Sequence, residues 1–197
     1  MTDSIRPFHF SDLYMLYRIC LLTGADGKDA SGTIDDEILG HFFAAPYAVL
    51  EPERCLILTV EGAPVGYILG TVHSTDFARR CESNWWPQLR DKYSVPTDGN
   101  LSREAMMIRA IHRGYEAPAC AMEYPAHLHI DLLPEAQSRG NGSRLLTAFI
   151  EKLKQQQVPG LHLGVSKGNG RAMAWYPKFG FKVVEETDSE VTFGLRL

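Results

Sequence analysis

The chain has 197 residues, 45% of them apolar and 22% charged, with a formal net charge of −4. That length suits one domain with an inserted lobe at most, and that balance suits a packed core under a solvated surface. The acidic balance argues against a nucleic-acid partner held by general electrostatics, which needs a basic face. No apolar run approaches the roughly 20 residues needed to span a bilayer, so no membrane partner is expected.

Met1-Thr2-Asp3-Ser4 is polar and acidic, unlike a signal peptide, which makes the cytoplasm the default compartment. Residues 5–10 read as a strand. Ser11 or Asp12 offers an N-cap to a helix whose face carries Leu13, Leu16, Ile19 and Cys20, and Thr23-Gly24 ends it. A loop rich in glycine and aspartate follows over 24–32, then a short helix over 34–43. Residues 55–60 and 65–72 form a hairpin about the turn Glu61-Gly62-Ala63-Pro64. Residues 77–93 and 101–113 read as two helices, broken at Pro96-Thr97-Asp98-Gly99, and 73–125 is the expected lobe. The four cysteines, Cys20, Cys55, Cys81 and Cys120, form no CxxC pair. They suggest buried thiols in a reducing compartment, and no metal site is expected.

The second half carries the chemistry. Residues 127–133 read as a strand, 141–157 as a helix with Leu145, Leu146, Phe149, Ile150 and Leu153 on one side, and 161–165 as a strand. A strand–helix–strand unit implies parallel strands joined by a right-handed crossover. A helix over 170–178 and a closing hairpin of 181–185 with 191–197 complete the chain. Between the first strand and its helix stand Gln137, Ser138, Arg139, Gly140, Asn141, Gly142 and Ser143. Glycines there allow a tight turn, and N–H groups at the positive end of a helix dipole suit phosphate or pyrophosphate. An ordinary strand-to-helix turn has the same composition, so the pattern alone does not decide.

Gln-x-x-Gly-x-Gly at 137–142, followed by Asn-x-x-Ala-x-x-x-Tyr at 169–176, resembles the two signature segments of the GNAT family of N-acetyltransferases. The segments 5–8, 18–27, 66–72 and 86–93 further resemble the acetyltransferase-like C-terminal domain of O-GlcNAcase, which implies a stand-alone bacterial relative of that domain. The resemblance implies an α/β (α+β) GNAT fold: a mixed, mainly antiparallel sheet with splayed parallel central strands, flanked by helices. It implies acetyl-CoA as co-substrate, with its pantetheine arm along the backbone of Ile130, Asp131 and Leu132. Its pyrophosphate would lie on the N–H groups of residues 138–143, and Asn169 would contact the CoA chain. Arg144, Lys167 or Arg171 would be the cations for the adenosine phosphates.

The implied reaction is direct attack of an amine on the thioester in a ternary complex. Tyr176 is the candidate general acid for the leaving thiolate, and a backbone N–H near Leu132 is the candidate donor to the acetyl oxygen. The base is open. The resemblance implies a Glu at the position of Gly164, or a Glu or His near Ala126 and Leu128, but these three residues are glycine or apolar here. His129 and Asp131 are candidates, although strand alternation sets them on the other face, and Glu123 is a further one. Asp26, Asp29, Glu116 and Glu123 are candidate carboxylates for a cationic acceptor, while Trp85 and Trp86 read as core. The acceptor, a small molecule or a protein amine, is not identified, and the oligomeric state is open, a dimer included. The competing reading is a module that holds acetyl-CoA without catalysis and acts through a protein partner.

Overall fold

In the computed structural model, which describes residues 3–197, the sheet is built of seven strands in the order β1-β2-β3-β4-β5-β7-β6. They are β1 (Asp3–Pro7), β2 (Leu56–Val60), β3 (Ala63–Thr71), β4 (Ala126–Leu132), β5 (Gly160–Ser166), β6 (Lys182–Glu186) and β7 (Glu190–Arg196). Every neighbouring pair is antiparallel except β4 with β5. Of the N-terminal reading, Met1 and Thr2 lie outside the described residues.

The helices are α1 (Leu13–Thr23), α2 (Ile38–Phe43), α3 (Ala45–Leu50), α4 (Ser74–Asn84), α5 (Trp86–Lys92), α6 (Arg103–Arg113), α7 (Asn141–Gln155) and α8 (Gly170–Trp175). The β4–α7–β5 crossover is the expected one. α7 lies against β2, β3 and β4, and α1 against β3 and β4. Gly70 of β3 lets α7 come close, because a Cβ there would meet the Phe149 ring at 2.5 Å. Gly70 pairs with Leu128, and paired residues share a face. Leu128 therefore looks toward α7, and His127, His129 and Asp131 look toward the α1 side.

Several boundaries depart from the sequence reading, and proline chemistry explains one of them and opens a helix that was not expected. The expected helix over 77–93 is two helices that break at Trp85, with Pro87 in the first turn of α5. The helix expected over 34–43 begins only at Ile38, and α3 follows after a bend at Ala44, with Pro46 in its first turn. Proline lacks the N–H that a helix interior needs but loses nothing in a first turn. The strand expected over 5–10 ends at Pro7, and Phe10–Asp12 is a 3-10 turn. Neither Ser11 nor Asp12 caps α1 with its side chain. The Asp12 carboxylate instead accepts from the His9 N–H at 2.9 Å and pairs with Arg6 at 2.7 Å. The four cysteines are free thiols: Cys20, Cys55 and Cys81 are buried and Cys120 is partly exposed.

Candidate active site

β4 and β5 are joined through only two ladder positions, Ala126 with Leu161 and His127 with His162, and then part. On its other edge β4 stays paired with β3 as far as Leu132. The Leu133 N–H donates to the Val65 carbonyl at 2.8 Å. That bond sets the alternation of an antiparallel ladder: odd-numbered residues of β4 bond toward β3, and the N–H and C=O groups of Leu128, Ile130 and Leu132 turn toward the gap. Such groups are obligatory hydrogen-bonding partners. Gln137 answers one of them, donating from Nε2 to the Leu132 carbonyl at 2.7 Å.

At the head of this gap the chain turns through residues 137–143 into α7. Ser138 (φ 61) and Gly140 (φ 76) are both left-handed, and Gly140 is the N-cap of α7 with no side-chain cap. Arg171 of α8 ties the turn to the neighbouring helix, donating to Gln137 Oε1 and, at 3.1 Å, to Ser138 Oγ. Asn141 is buried, and its amide donates to the Ala136 carbonyl at 3.1 Å. Only its backbone thus remains to meet a ligand. A Cβ at Gly142 would stand 3.3 Å from the Trp175 ring, so that residue serves the close approach of α7 to α8. The other cations named from the sequence are engaged. Arg144 donates to Asn141 Oδ1 at 2.9 Å, and Lys167 pairs with Glu186 at 2.7 Å.

Asn169 caps α8, its Oδ1 accepting from the Ala172 N–H at 3.1 Å. The turn before it touches the loop after α1: a Cβ at Gly168 would meet Asp26 Oδ2 at 2.6 Å, and one at Gly27 would lie 3.6 Å from Asn169 Nδ2. Asp29 accepts from the Ser31 N–H at 2.7 Å, closing its own turn. Tyr176 is buried, with its ring between Trp175, Phe181 and Phe193 at centroid distances of 4.9, 5.4 and 5.9 Å. Burial, and then the charge of Asp131, push its phenol above the ordinary tyrosine range. Tyr176 is therefore a neutral hydrogen-bond donor at every physiological pH.

On the α1 side of β4, polar groups satisfy one another. Asp131 Oδ2 accepts from the Tyr67 hydroxyl at 2.6 Å and lies 2.9 Å from His129 Nε2. Phe43 stacks on the His129 ring at 5.4 Å. One donor atom each from Cys20, His129 and Asp131 falls within 4.8 Å of the others. Burial, followed by the charge of Asp131, raises the Cys20 thiol far above its usual range, so it is a protonated neighbour and a poor ligand. Tyr67, Asp131 and His129 form a hydrogen-bonded network, with the Cys20 thiol beside it.

His127 is wholly enclosed. Its Nε2 meets the Tyr47 hydroxyl at 2.7 Å, and its Nδ1 meets Ser74 Oγ at 2.6 Å and the Tyr115 hydroxyl at 3.2 Å. Burial, with smaller contributions from His162 and His129, holds His127 well below the histidine range. Burial also lowers His162 and His41. Unfolded imidazoles titrate near ~6.5, so below that pH the unfolded chain binds protons that the folded chain refuses. Their contribution to stability is complete above pH ~6.5 and is lost as pH falls through that value. Urea denaturation at pH 7.5, 6.5 and 5.5 should show a smaller loss toward acid for His127→Gln than for the parent chain. The difference in slope should be at most about 1.4 kcal/mol per pH unit. Equal slopes would mean that His127 protonates as easily folded as unfolded.

A cavity of about 270 Å³ opens on the same side of the sheet. Phe42, Phe43, Tyr47, Phe77, Trp86 and Tyr115 wall it, and Glu116 and Glu190 bring carboxylates. Trp86 is thus both core and wall. Glu123, by contrast, is exposed and pairs with Arg196. Glu190 is the residue that the sequence reading missed. It stands beside Gly164, the position where the family's Glu was sought, and a Cβ at Gly164 would meet Glu190 Oε1 at 2.6 Å.

A sheet whose one parallel pair splays beside a glycine turn at a helix start defines an acyl-CoA-dependent transferase fold. The chain belongs to the acetyltransferase (GNAT) family, whose model matches residues 28–181. Over 180 residues, 90% of this chain, it is 24% identical to Protein O-GlcNAcase of Rattus norvegicus. It spans only 20% of the length of that relative. The crystal structure of SsHAT matches with a TM-score of 0.92 at 30% identity, covering 100% of this chain and 98% of that one. The PaiA N-acetyltransferase of Thermoplasma acidophilum, solved in complex with coenzyme A, matches with a TM-score of 0.62 at 16% identity over 100% of both chains. At that identity the likeness is one of fold. Both resemblances drawn from the residues hold, and the GNAT fold typically binds acetyl-CoA. No helix among the described residues is long and apolar enough to cross a membrane.

Proposed function

We propose that the chain transfers the acetyl group of acetyl-CoA to an amine, by direct attack within a ternary complex. The observation that carries this reading is the parting of β4 from β5 after His127 and His162, directly below the turn at 137–143. The pantetheine arm takes the backbone groups that Ile130 and Leu132 turn into the gap, as an added strand would, with Asp131 beneath it. The pyrophosphate lies on the N–H groups of Ser138, Arg139, Gly140, Asn141, Gly142 and Ser143, at the positive end of α7. Gln137 and Arg171 brace that turn, and Asn169 borders the CoA chain from the start of α8.

The acetyl oxygen gains negative charge as the amine adds, and a backbone N–H near Leu132 stabilises it. Tyr176, kept neutral by its surroundings, gives its proton to the leaving thiolate. His129 and Asp131 stand on the acceptor side of β4, where a proton must be taken from the amine.

The burial of Tyr176 among three rings favours a second reading, in which the tyrosine only packs and the chain holds acetyl-CoA while acting through a protein partner. Calorimetric titration with acetyl-CoA, followed by thiol release over a panel of amines, separates the two. Saturable one-to-one binding with amine-dependent thiol release is expected. Binding without release from any amine would favour the second reading, and absence of binding would remove both.

A further inference from the structure

The transfer reading leaves the proton acceptor on the acceptor side unassigned, and the strand register supplies one. β5 pairs with β7 so that His162 faces Gly194, Gly164 faces Thr192 and Ser166 faces Glu190. Since His127 pairs with His162, this row lies on the side of the sheet that carries His127, His129 and Asp131. Gly164 has no side chain to fill its place in that row. The Glu190 side chain leans over it, with Oε1 2.6 Å and Oε2 3.1 Å from where a Cβ would sit. A Glu at 164 would therefore put a carboxylate in space that Glu190 already holds. Both residues line the aromatic cavity, which also reaches Leu128 and His129 at the mouth of the splay.

We propose that Glu190 takes the proton from an acceptor amine seated in this cavity, and that the amine carries a compact apolar or aromatic body. The inference rests on the acetyl-transfer reading above. Aromatic faces attract an ammonium group and apolar atoms alike. Walls of Phe42, Phe43, Tyr47, Phe77, Trp86 and Tyr115 suit one amino group on a flat body, and the two carboxylates, Glu116 and Glu190, are too few for every charge of a polyamine with three or more.

Of the competing bases, Asp131 is committed and His129 has only Nδ1 left. Asp131 Oδ2 serves both Tyr67 and His129, and His129 Nε2 is turned to Asp131. Among the described residues no side chain or N–H donates to the Glu190 carboxylate; its backbone N–H donates to Thr187 Oγ1 at 3.1 Å and its C=O accepts from the Thr187 N–H at 2.9 Å. Loss of water raises Glu190 above the ordinary carboxylate range, toward the pH at which a base works best. The residue is nevertheless solvent-accessible at the cavity rim, so a proton it accepts can leave.

The ammonium acceptor gives one proton to Glu190 Oε, which releases it to solvent. The free amine nitrogen attacks the thioester carbon, the N–C bond forms, and the C–S bond breaks with its electron pair on sulfur. The sulfur takes the Tyr176 proton, the amide nitrogen gives its surplus proton to Glu190, and solvent restores both side chains.

The test uses the full chain, acetyl-CoA and two probes, 2-phenylethylamine and spermidine, with thiol release as the readout. The parent chain should acetylate 2-phenylethylamine with the higher kcat/KM. Glu190→Gln keeps the side-chain volume and the backbone bond to Thr187. It should bind acetyl-CoA with unchanged Kd and lower kcat at least tenfold, which is the low end of proton-transfer catalysis at about 10²-fold diluted by rescue from water. Glu190→Asp should recover part of that loss, and Asp98→Asn, the same charge change on a remote loop, should have none.

The rise of kcat with pH between 5 and 8 should flatten in Glu190→Gln. The groups facing Glu190 are Thr192 on its own strand, Gly164, Ser166 and His162 on β5, and Tyr115 and Glu116 before β4, and all of them persist in the variant. Full kcat in Glu190→Gln would overturn the assignment, as would a preference for spermidine. Acetyl-CoA binding without turnover of either amine would overturn the acceptor class. Failure to bind acetyl-CoA at all would sink the transfer reading first, and this inference with it.

Discussion

Replacing Tyr176 by Phe should lower turnover about 10²-fold or more near pH 7, while acetyl-CoA affinity changes little. The substitution removes one oxygen from a ring that stays packed between Trp175, Phe181 and Phe193, so the fold should not notice it. The proton moves only in the transition state, so ground-state binding carries almost none of the effect. An unperturbed thiol has a pKa of about 8.5, and above that pH the thiolate leaves without needing a proton. The deficit of Tyr176→Phe should therefore shrink from pH 7 to pH 9. Steady-state thiol release with the best acceptor, alongside calorimetry for acetyl-CoA, reads both quantities. Undiminished turnover at pH 7 would return Tyr176 to a packing role.

Replacing Gly140 by Val should weaken acetyl-CoA binding at least tenfold while the sheet and helices survive. Gly140 sits at φ 76 on an exposed turn, with nothing within 4 Å of where a Cβ would stand. The penalty is therefore one of backbone conformation, not of crowding. A β-branched residue resists that region strongly, and the turn relaxes by moving its N–H groups. Each charge-assisted bond lost to the pyrophosphate is worth about 1.5–3 kcal/mol, and 1.4 kcal/mol is already tenfold in affinity. Gly140→Asn separates the effects, because Asn enters the left-handed region far more readily than Val and should retain most of the affinity. Equal losses for Val and Asn would point to the added side chain rather than to the strain. Unchanged affinity in Gly140→Val would place the ligand elsewhere.

Much of the site's frame is legible in the sequence. The alternation over 127–133, the apolar face of Leu145, Leu146, Phe149 and Leu153, and the glycines at 140 and 142 are local patterns. A period or a turn residue reports on a few neighbours in the chain, and so β4, α7, β5 and the turn between them came out near their true bounds. The helix break at Trp85 was missed although Pro87 marks it, and α3, which Pro46 opens, was not read as a helix at all. Proline in a first turn continues an apolar pattern and can be taken for the interior of one longer helix. Asn169 has the motif's residue type, but its side chain caps α8, and Asn141, between the motif's two glycines, turns its amide to the Ala136 carbonyl. A motif records identity at a position and is silent on which atoms are already satisfied.

The residues alone thus determine the elements, their order and the family, because those follow from local periodicity and from spacing along one stretch of chain. Whether β4 and β5 part, and where, depends on how far each keeps bonding to its outer neighbour, β3 or β7, and that is a property of the assembled sheet. The aromatic cavity joins rings from α2, α3, α4 and α5 to the segment before β4, elements whose packing no single window of sequence contains. Glu190 reaches the empty place over Gly164 through the β5–β7 register, and a slip of one residue would send it to the other face. Register is settled by the burial of Val191 and Phe193 on the opposite side of β7, and only the folded core imposes that choice.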